Sequence, residues 1–496
     1  MSASTLTASP GANTPGGASI LASPEEHAFH RAATDPDYFA WLDHVSSAAG
    51  CAHPIRLLGR IDTVDTTTEQ ILATRSTLPM PDSIIYKACG NRRAAVCPSC
   101  STTYRRDAYQ LIRAGLVGGK GVPATVAGHP AVFATLTAPG FGSVHTRRTS
   151  KTGQALQCRP RRDEDWCPHG MDLRCDRIHA VSERILGTPL CLDCYDHQHQ
   201  VVWNFTAGEL WRRTRIALER TLRRTAKNRG IDPTTVRVSY GKVAEMQRRG
   251  VVHFHAIIRL DGVDPDNRNA IAPVPDGIGL GDLVDAVEDA ARHTRYITEP
   301  HGRINVAWLI EWGDQLDIRP VRVPGDGTIS DEMVAGYLAK YATKSTEASG
   351  HVSGRLTHEN IDLYADPLGS HIERLIHACW SLGGHIPGLK LGEQADRPFG
   401  RLRRWAHMLG FGGHFLTKSR RYSITFRALR ERRTTWRREH TDTAAQHDDE
   451  TTVVISSLNY VGAGWLTPGD ALLANTAAAL ARERQRIGRI ETTSQN

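Results

Sequence analysis

In residues 209–229, Leu210, Trp211, Ile216, Leu218 and Leu222 recur at helical spacing between clusters of arginine, which predicts an amphipathic helix. Residues 282–293 repeat that pattern. Residues 27–46 set Phe29, Tyr38, Phe39, Trp41 and Leu42 among polar neighbours, again as a helix. Tyr109, Leu111 and Ile112 predict a helix over 104–115 that stops at Gly115. Between these lie runs rich in β-branched and apolar residues. One covers 131–137 and ends at Pro139-Gly140; two more, 236–245 and 251–260, are joined by the turn Arg248-Arg249-Gly250. Residues 304–310 are a further candidate strand. Ser330 caps a helix that opens with Asp331 and Glu332 and runs to about Lys344. Residues 264–276, with three prolines, are a loop; 440–452 form a polar linker; an Ala/Arg-rich helix follows over 472–490.

A chain of 496 residues has room for about two to four compact units. With 40% hydrophobic and 23% charged residues it can bury a core, which excludes wholesale disorder. The polar start, rich in Ser, Thr, Ala, Gly and Pro, lacks the basic and apolar regions of a signal peptide. No apolar run reaches the roughly 18 residues of a membrane span, so the expectation is a cytoplasmic protein without membrane partners. The formal charge of +8 is unevenly spread: residues 397–438 hold thirteen Lys/Arg and one acid, Glu431, a net +12 that leaves the rest slightly acidic. That concentration is an electrostatic footprint for nucleic acid, with Arg401, Arg403, Arg404, Lys418, Arg420 and Arg421 as candidate DNA contacts.

Nine of the ten cysteines precede residue 200, which in a chain with no secretory signal favours metal binding over disulfides. Cys97-Pro-Ser-Cys100 is a zinc knuckle, and Cys51 and Cys89 complete a four-thiolate set. A second group holds Cys158, Cys167, Cys175 and Cys191-Leu-Asp-Cys194, with His169 and His179 nearby, more donors than one zinc needs. The preferred set is Cys167, Cys175, Cys191 and Cys194, with Cys158 or His169 as substitutes. Either Zn²⁺ would be structural. Cys379, alone, reads as a core thiol.

Reactive chemistry concentrates in two places. In Val251-Val-His-Phe-His-Ala-Ile-Ile258, His253 and His255 share one face of a strand and can chelate one divalent ion. Glu245, across the hairpin, can add a carboxylate, giving an open site for Mg²⁺ or Mn²⁺. In Gly336-Tyr337-Leu-Ala-Lys340-Tyr341, the tyrosines stand four apart on one helix face with Lys340 beside them and Lys344 a turn further. Phenols beside ammonium groups suit nucleophiles whose phenolate is favoured by cations.

Thr135-Leu-Thr137, then His-Phe-His, then Tyr-x-x-Lys-Tyr, in that order, resemble the three motifs of rolling-circle HUH endonucleases. The third is similar to that of the two-tyrosine initiators of small single-stranded DNA phages. The wider text resembles the RepSA-type replication initiators of actinobacterial plasmids and integrative elements. Cys89-Gly-Asn-Arg-Arg, Cys97-Pro-Ser-Cys100, Phe133-Ala-Thr-Leu-Thr-Ala-Pro139, Gln247-Arg-Arg-Gly-Val-Val-His253 and Trp405-Ala-His-Met-Leu-Gly-Phe-Gly-Gly-His414 carry that likeness.

The resemblance implies an α+β fold: an HUH-type antiparallel sheet of about five strands with helices, plus two small Cys-rich zinc modules. It implies that His253 and His255, with Glu245 as third ligand, hold the catalytic metal on a scissile phosphate. Tyr337 would attack to leave a 5′-phosphotyrosine and a 3′-OH primer, Tyr341 would be the alternate or second nucleophile, and Lys340 would orient or neutralise. Expected partners are double- and single-stranded origin DNA and a host helicase and polymerase, since the chain has no P-loop spacing. The layout expected is a disordered leader (1–26), an N-terminal zinc module with helices (27–125), and an endonuclease domain (126–146 and 200–350). Inserted in that domain is a zinc module (147–199); a basic DNA-binding region (351–440) and a linker with a C-terminal helix (441–496) follow. The competing readings are a non-enzymatic, zinc-stabilised DNA-binding regulator and an HUH transposase or relaxase.

Overall fold

The computed structural model describes residues 23–159, 166–321, 330–343, 354–385, 398–439 and 452–494. They form a mixed α+β protein of two compact units, and no helix among them is long and apolar enough to cross a membrane.

The larger unit is built on a five-stranded antiparallel sheet in the order Leu316–Pro320, Ala131–Leu136, Val252–Gly262, Val236–Met246, Leu416–Lys418. Strict alternation gives the central strand two apolar faces. Val252, Phe254, Ala256, Ile258 and Leu260 enter one core, with Trp203, Leu210, Trp211, Leu218 and Leu222 of the long helix His197–Asn228. That helix starts twelve residues before the predicted one, at an N-cap where Asp196 accepts from the His199 amide. Its first turns bury polar Gln200 and Asn204 along with Val201, Val202 and Trp203, so the division into polar and apolar faces that marked the later turns is missing there.

Ile257 points the other way. With Phe133, Val243 and Tyr422 it packs on Val334, Ala335 and Leu338 of helix Asp331–Tyr341 and on Leu111, Ile112 and Leu116 of helix Pro98–Val117. The Ser330 hydroxyl accepts from the Met333 amide and so caps the first of these helices. The hairpin between the two longest strands is pinned from the long helix. Asn204 donates to the carbonyls of Gly250 and Leu409 and accepts from the Val252 amide, while Gln200 donates to the Arg249 carbonyl. Gly250 has φ +72°, so any side chain there would be strained, and its Cβ would also have to displace Leu409 Cδ1, 2.7 Å away.

In the smaller unit, strand Ile55–Asp65 pairs antiparallel with Thr452–Ala463, Ile71–Ser76 and Ile85–Lys87. Residues 27–46 form two helices, Pro24–Thr34 and Tyr38–Val45, and a third, Pro468–Ser494, completes the unit around Trp41, Val45, Tyr86 and Ala474. The segment expected as a linker and lone helix therefore contains a strand paired over its length with one near residue 60. The candidate strand over 304–310 is reduced to Leu309–Glu311, paired with Arg295–Ile297.

Candidate active site and metal centres

Strand register builds the first site. Glu245 stands directly opposite His253, and His255 lies between Val243 and Thr135. The Nε2 atoms of His253 and His255 lie 2.8 and 3.2 Å from the same Glu245 oxygen, Oε2. The second nitrogen of each ring is also held: His255 Nδ1 is 3.1 Å from Thr135 Oγ1, and His253 Nδ1 is 3.0 Å from the Gln247 amide. Two imidazoles and a carboxylate converge, each ring oriented from behind, which is a donor set with the chemistry of a divalent-metal site. Burial lowers the His255 pKa against the opposing pull of Glu245, which favours the neutral, ligating imidazole.

The helix bearing the tyrosines lies over this face. The rings of Tyr337 and Tyr341 are centred 5.1 and 5.5 Å from His255 and 4.4 Å from each other. Phe133 stacks on His255 at 5.7 Å and meets Tyr337 edge-on at 5.8 Å. Tyr337 remains 40% exposed.

The electrostatics differ from the cation-stabilised phenolate that the lysine spacing suggested. Burial, the hydrogen bond with Tyr341 and the negative charges of Glu245 and Asp317 raise the Tyr337 pKa above that of an ordinary phenol. Lys340 sits over the Tyr341 ring, 5.9 Å from its centre, and Lys344 lies outside the described residues. Asp317 is a site residue that sequence reasoning missed. It pairs with Thr135 on the edge strand, and its charge acts on both His255 and Tyr337. The alternation of Leu316 and Ile318 with Asp317 and Arg319 is the signal that would have revealed it.

None of the ten cysteines is in a disulfide, and nine gather in three groups. Cys51, Cys89, Cys97 and Cys100 come together as expected from the knuckle, with Sγ···Sγ distances of 3.7, 3.8 and 3.7 Å. Four thiolates about a zinc at about 2.3 Å stand about 3.8 Å apart, so this pocket fits the ion. Amides of Ala52 and Cys89 donate to Cys97 and Cys51 sulfurs, the bonds a thiolate needs.

The expected set Cys167, Cys175, Cys191 and Cys194 is corrected. Cys167, Cys191 and Cys194 gather with His169, whose Nδ1 is 3.2 Å from Cys194 Sγ. Cys175 instead joins Cys158, His145 and His179, because the Arg159–Cys175 bridge carries it to the other side of the insertion. Both groups are compatible with zinc. Cys379 is fully buried in the main core, as expected of a lone thiol.

The six candidate DNA-binding cations divide. Arg403 donates to the Trp380 carbonyl, Lys418 to the Ser423 carbonyl and Arg421 to the Asn269 side chain. Arg401, Arg404 and Arg420 are exposed.

The fold and site therefore define an α+β protein with an open imidazole–carboxylate site under two tyrosines, accompanied by cysteine-rich clusters suited to metal. Residues 37–479 match the family described as Replication initiator protein, pSAM2 (RepSA), and the chain belongs to that family. It is 41% identical over 456 residues to a replication initiator protein of Streptomyces ambofaciens, covering 90% of this chain and 91% of that one. No solved structure matches the chain.

Proposed function

We propose that this protein is a site-specific, metal-dependent DNA endonuclease and strand transferase of the HUH type. It would initiate rolling-circle replication of a plasmid or integrative element. The observation that carries this reading is the convergence of Tyr337 and Tyr341 on His255, whose Nε2 shares the Glu245 carboxylate with His253.

Tyr337 Oη attacks the scissile phosphorus as the bond to the 3′-oxygen breaks. The DNA is left with a 5′-phosphotyrosine on one side and a free 3′-OH primer on the other, and the phenolic proton passes to solvent as the 3′-oxygen takes one up. Tyr341 would carry the second transesterification. Glu245, His253 and His255 would hold Mg²⁺ or Mn²⁺, which when bound supplies Lewis-acid stabilisation of the phosphate. Burial first, then the hydrogen bond with Tyr341 and the nearby acidic charges, hold the Tyr337 phenol protonated at rest, so it must lose its proton as it attacks. The cysteine clusters would be structural zinc sites. Arg401, Arg404 and Arg420 would bind backbone phosphates of the origin, which base contacts must then specify.

Incubation with Mn²⁺ and supercoiled origin DNA should yield nicked circles carrying covalently bound protein, and Tyr337→Phe with Tyr341→Phe should abolish them. Tight, salt-dependent origin binding by the wild type without any cleavage would instead make it a non-enzymatic regulator.

A further inference from the structure

We infer that the insertion spanning residues 145–194 is an interlocked two-zinc module, which brings the chain to three structural zinc ions. One centre is His145, Cys158, Cys175 and His179; the other is Cys167, His169, Cys191 and Cys194. In chain order the donors fall in pairs that alternate between the centres: 145 and 158, 167 and 169, 175 and 179, 191 and 194. Each ion therefore closes a loop that contains a donor pair of the other, and neither loop can open without loosening its neighbour.

The first centre shares only Cys175 with the set that sequence spacing favoured, and its own geometry supports it. Its donor atoms all lie within 4.8 Å of one another, and Cys175 Sγ is 3.4 Å from His179 Nε2. The other nitrogen of His179 is 2.8 Å from Glu183 Oε2, the carboxylate–imidazole pairing that orients a metal-bound histidine. The Thr146 amide donates to Cys158 Sγ at 3.1 Å, as it would to a thiolate. His145 Nδ1 is buried with no hydrogen-bond partner, a vacancy in polar pairing that a buried ring ordinarily fills. Apart from the cysteines, Leu186 and Pro189 are the only buried apolar side chains among the described residues of the segment, too little to fold it without metal.

The module is also tied to the active site. Arg248, in the turn between Glu245 and His253, donates to the carbonyls of Val181 and Glu183 at 2.6 and 2.9 Å. His145, Thr146 and Gly187 line an open cleft of about 690 Å³ together with Glu245 and His253. The first centre thus holds one wall of the cleft that leads to the carboxylate and imidazoles.

The metal content of the full chain tests this whether or not the protein nicks DNA. Elemental analysis should give three zinc ions per chain. X-ray absorption should give an average shell of three sulfurs and one nitrogen, from nine thiolates and three imidazoles. Two ions with a sulfur-richer shell would overturn the first centre. Cys158→Ser combined with His179→Ala should lower the count by two, since the second centre loses its brace; a loss of one would overturn the interlock. Should that variant fail to accumulate, chelator titration of the wild type decides: two ions leaving together and one apart support the module, and three independent releases refute it.

Discussion

Replacing Thr135 by Val probes how the metal-site histidine is held. Thr135 Oγ1 lies 3.1 Å from His255 Nδ1 across the strand pair, and the His255 side chain is only 3% exposed. Water cannot take the place of the lost hydroxyl, so one ring nitrogen is left without a partner, at a cost of about 1–3 kcal/mol. Part of that cost falls on the metal-bound form, in which ring orientation matters most. Outer partners of this kind contribute about 10- to 100-fold in metal affinity, or about 1.4–2.8 kcal/mol. The zinc-loaded protein should therefore bind Mn²⁺ about 10- to 100-fold more weakly as Thr135→Val, measured from the free-ion signal in electron paramagnetic resonance. Thr135→Ser keeps the oxygen and should return affinity close to that of the wild type. A Thr135→Val affinity within about twofold of wild type would show that the hydroxyl does not hold the ring, as would a Ser variant as weak as Val.

Lys242 is buried with its Nζ 3.6 Å from the centre of the Phe254 ring, and burial lowers its pKa to about 7. Between that value and the roughly 10.4 of a free lysine, the unfolded chain holds a proton that the folded chain lacks, so this group makes stability rise with pH across that window. Lys242→Met should remove the rise and stabilise the protein by a few kcal/mol near pH 7; denaturant midpoints at pH 7 and 9.5 that shift equally would contradict this. The Tyr422 hydroxyl, fully buried, donates to the Ile112 carbonyl at 3.0 Å. Tyr422→Phe should cost about 0.5–1.5 kcal/mol in urea unfolding, the net worth of one hydrogen bond, because the Ile112 carbonyl lies within helix Pro98–Val117 and keeps its helical partner. Cys97→Ser should release one zinc ion and leave those of the insertion in place, and full retention of zinc would contradict the four-thiolate assignment.

The parts legible from sequence are those whose signal is local. The alternation around His253 and His255 places two imidazoles on one strand face, and the short hairpin sets Glu245 opposite His253. The i, i+4 spacing of Tyr337 and Tyr341 likewise needs only helix geometry. What escaped depends on distant pairing. Nothing near residue 60 announces that Thr452–Ala463 is its neighbour, since edge partners are chosen by the whole fold. Asp317 sits on a five-residue strand whose role appears only when it lies beside Thr135. The cysteines show the limit clearly: Cys97 and Cys100 are read together from their two-residue spacing, but Cys175 and Cys167 go to different centres because the chain folds back between them.

The central claim is that Tyr337 becomes covalently joined to DNA. Nicking origin DNA with Mn²⁺, digesting the complex with protease and nuclease, and sequencing the nucleotide-bearing peptide by mass spectrometry tests it directly. A 5′-phosphodiester is expected on Tyr337, moving to Tyr341 when Tyr337 is Phe. An adduct on any other residue, or cleavage that leaves no adduct, would contradict it.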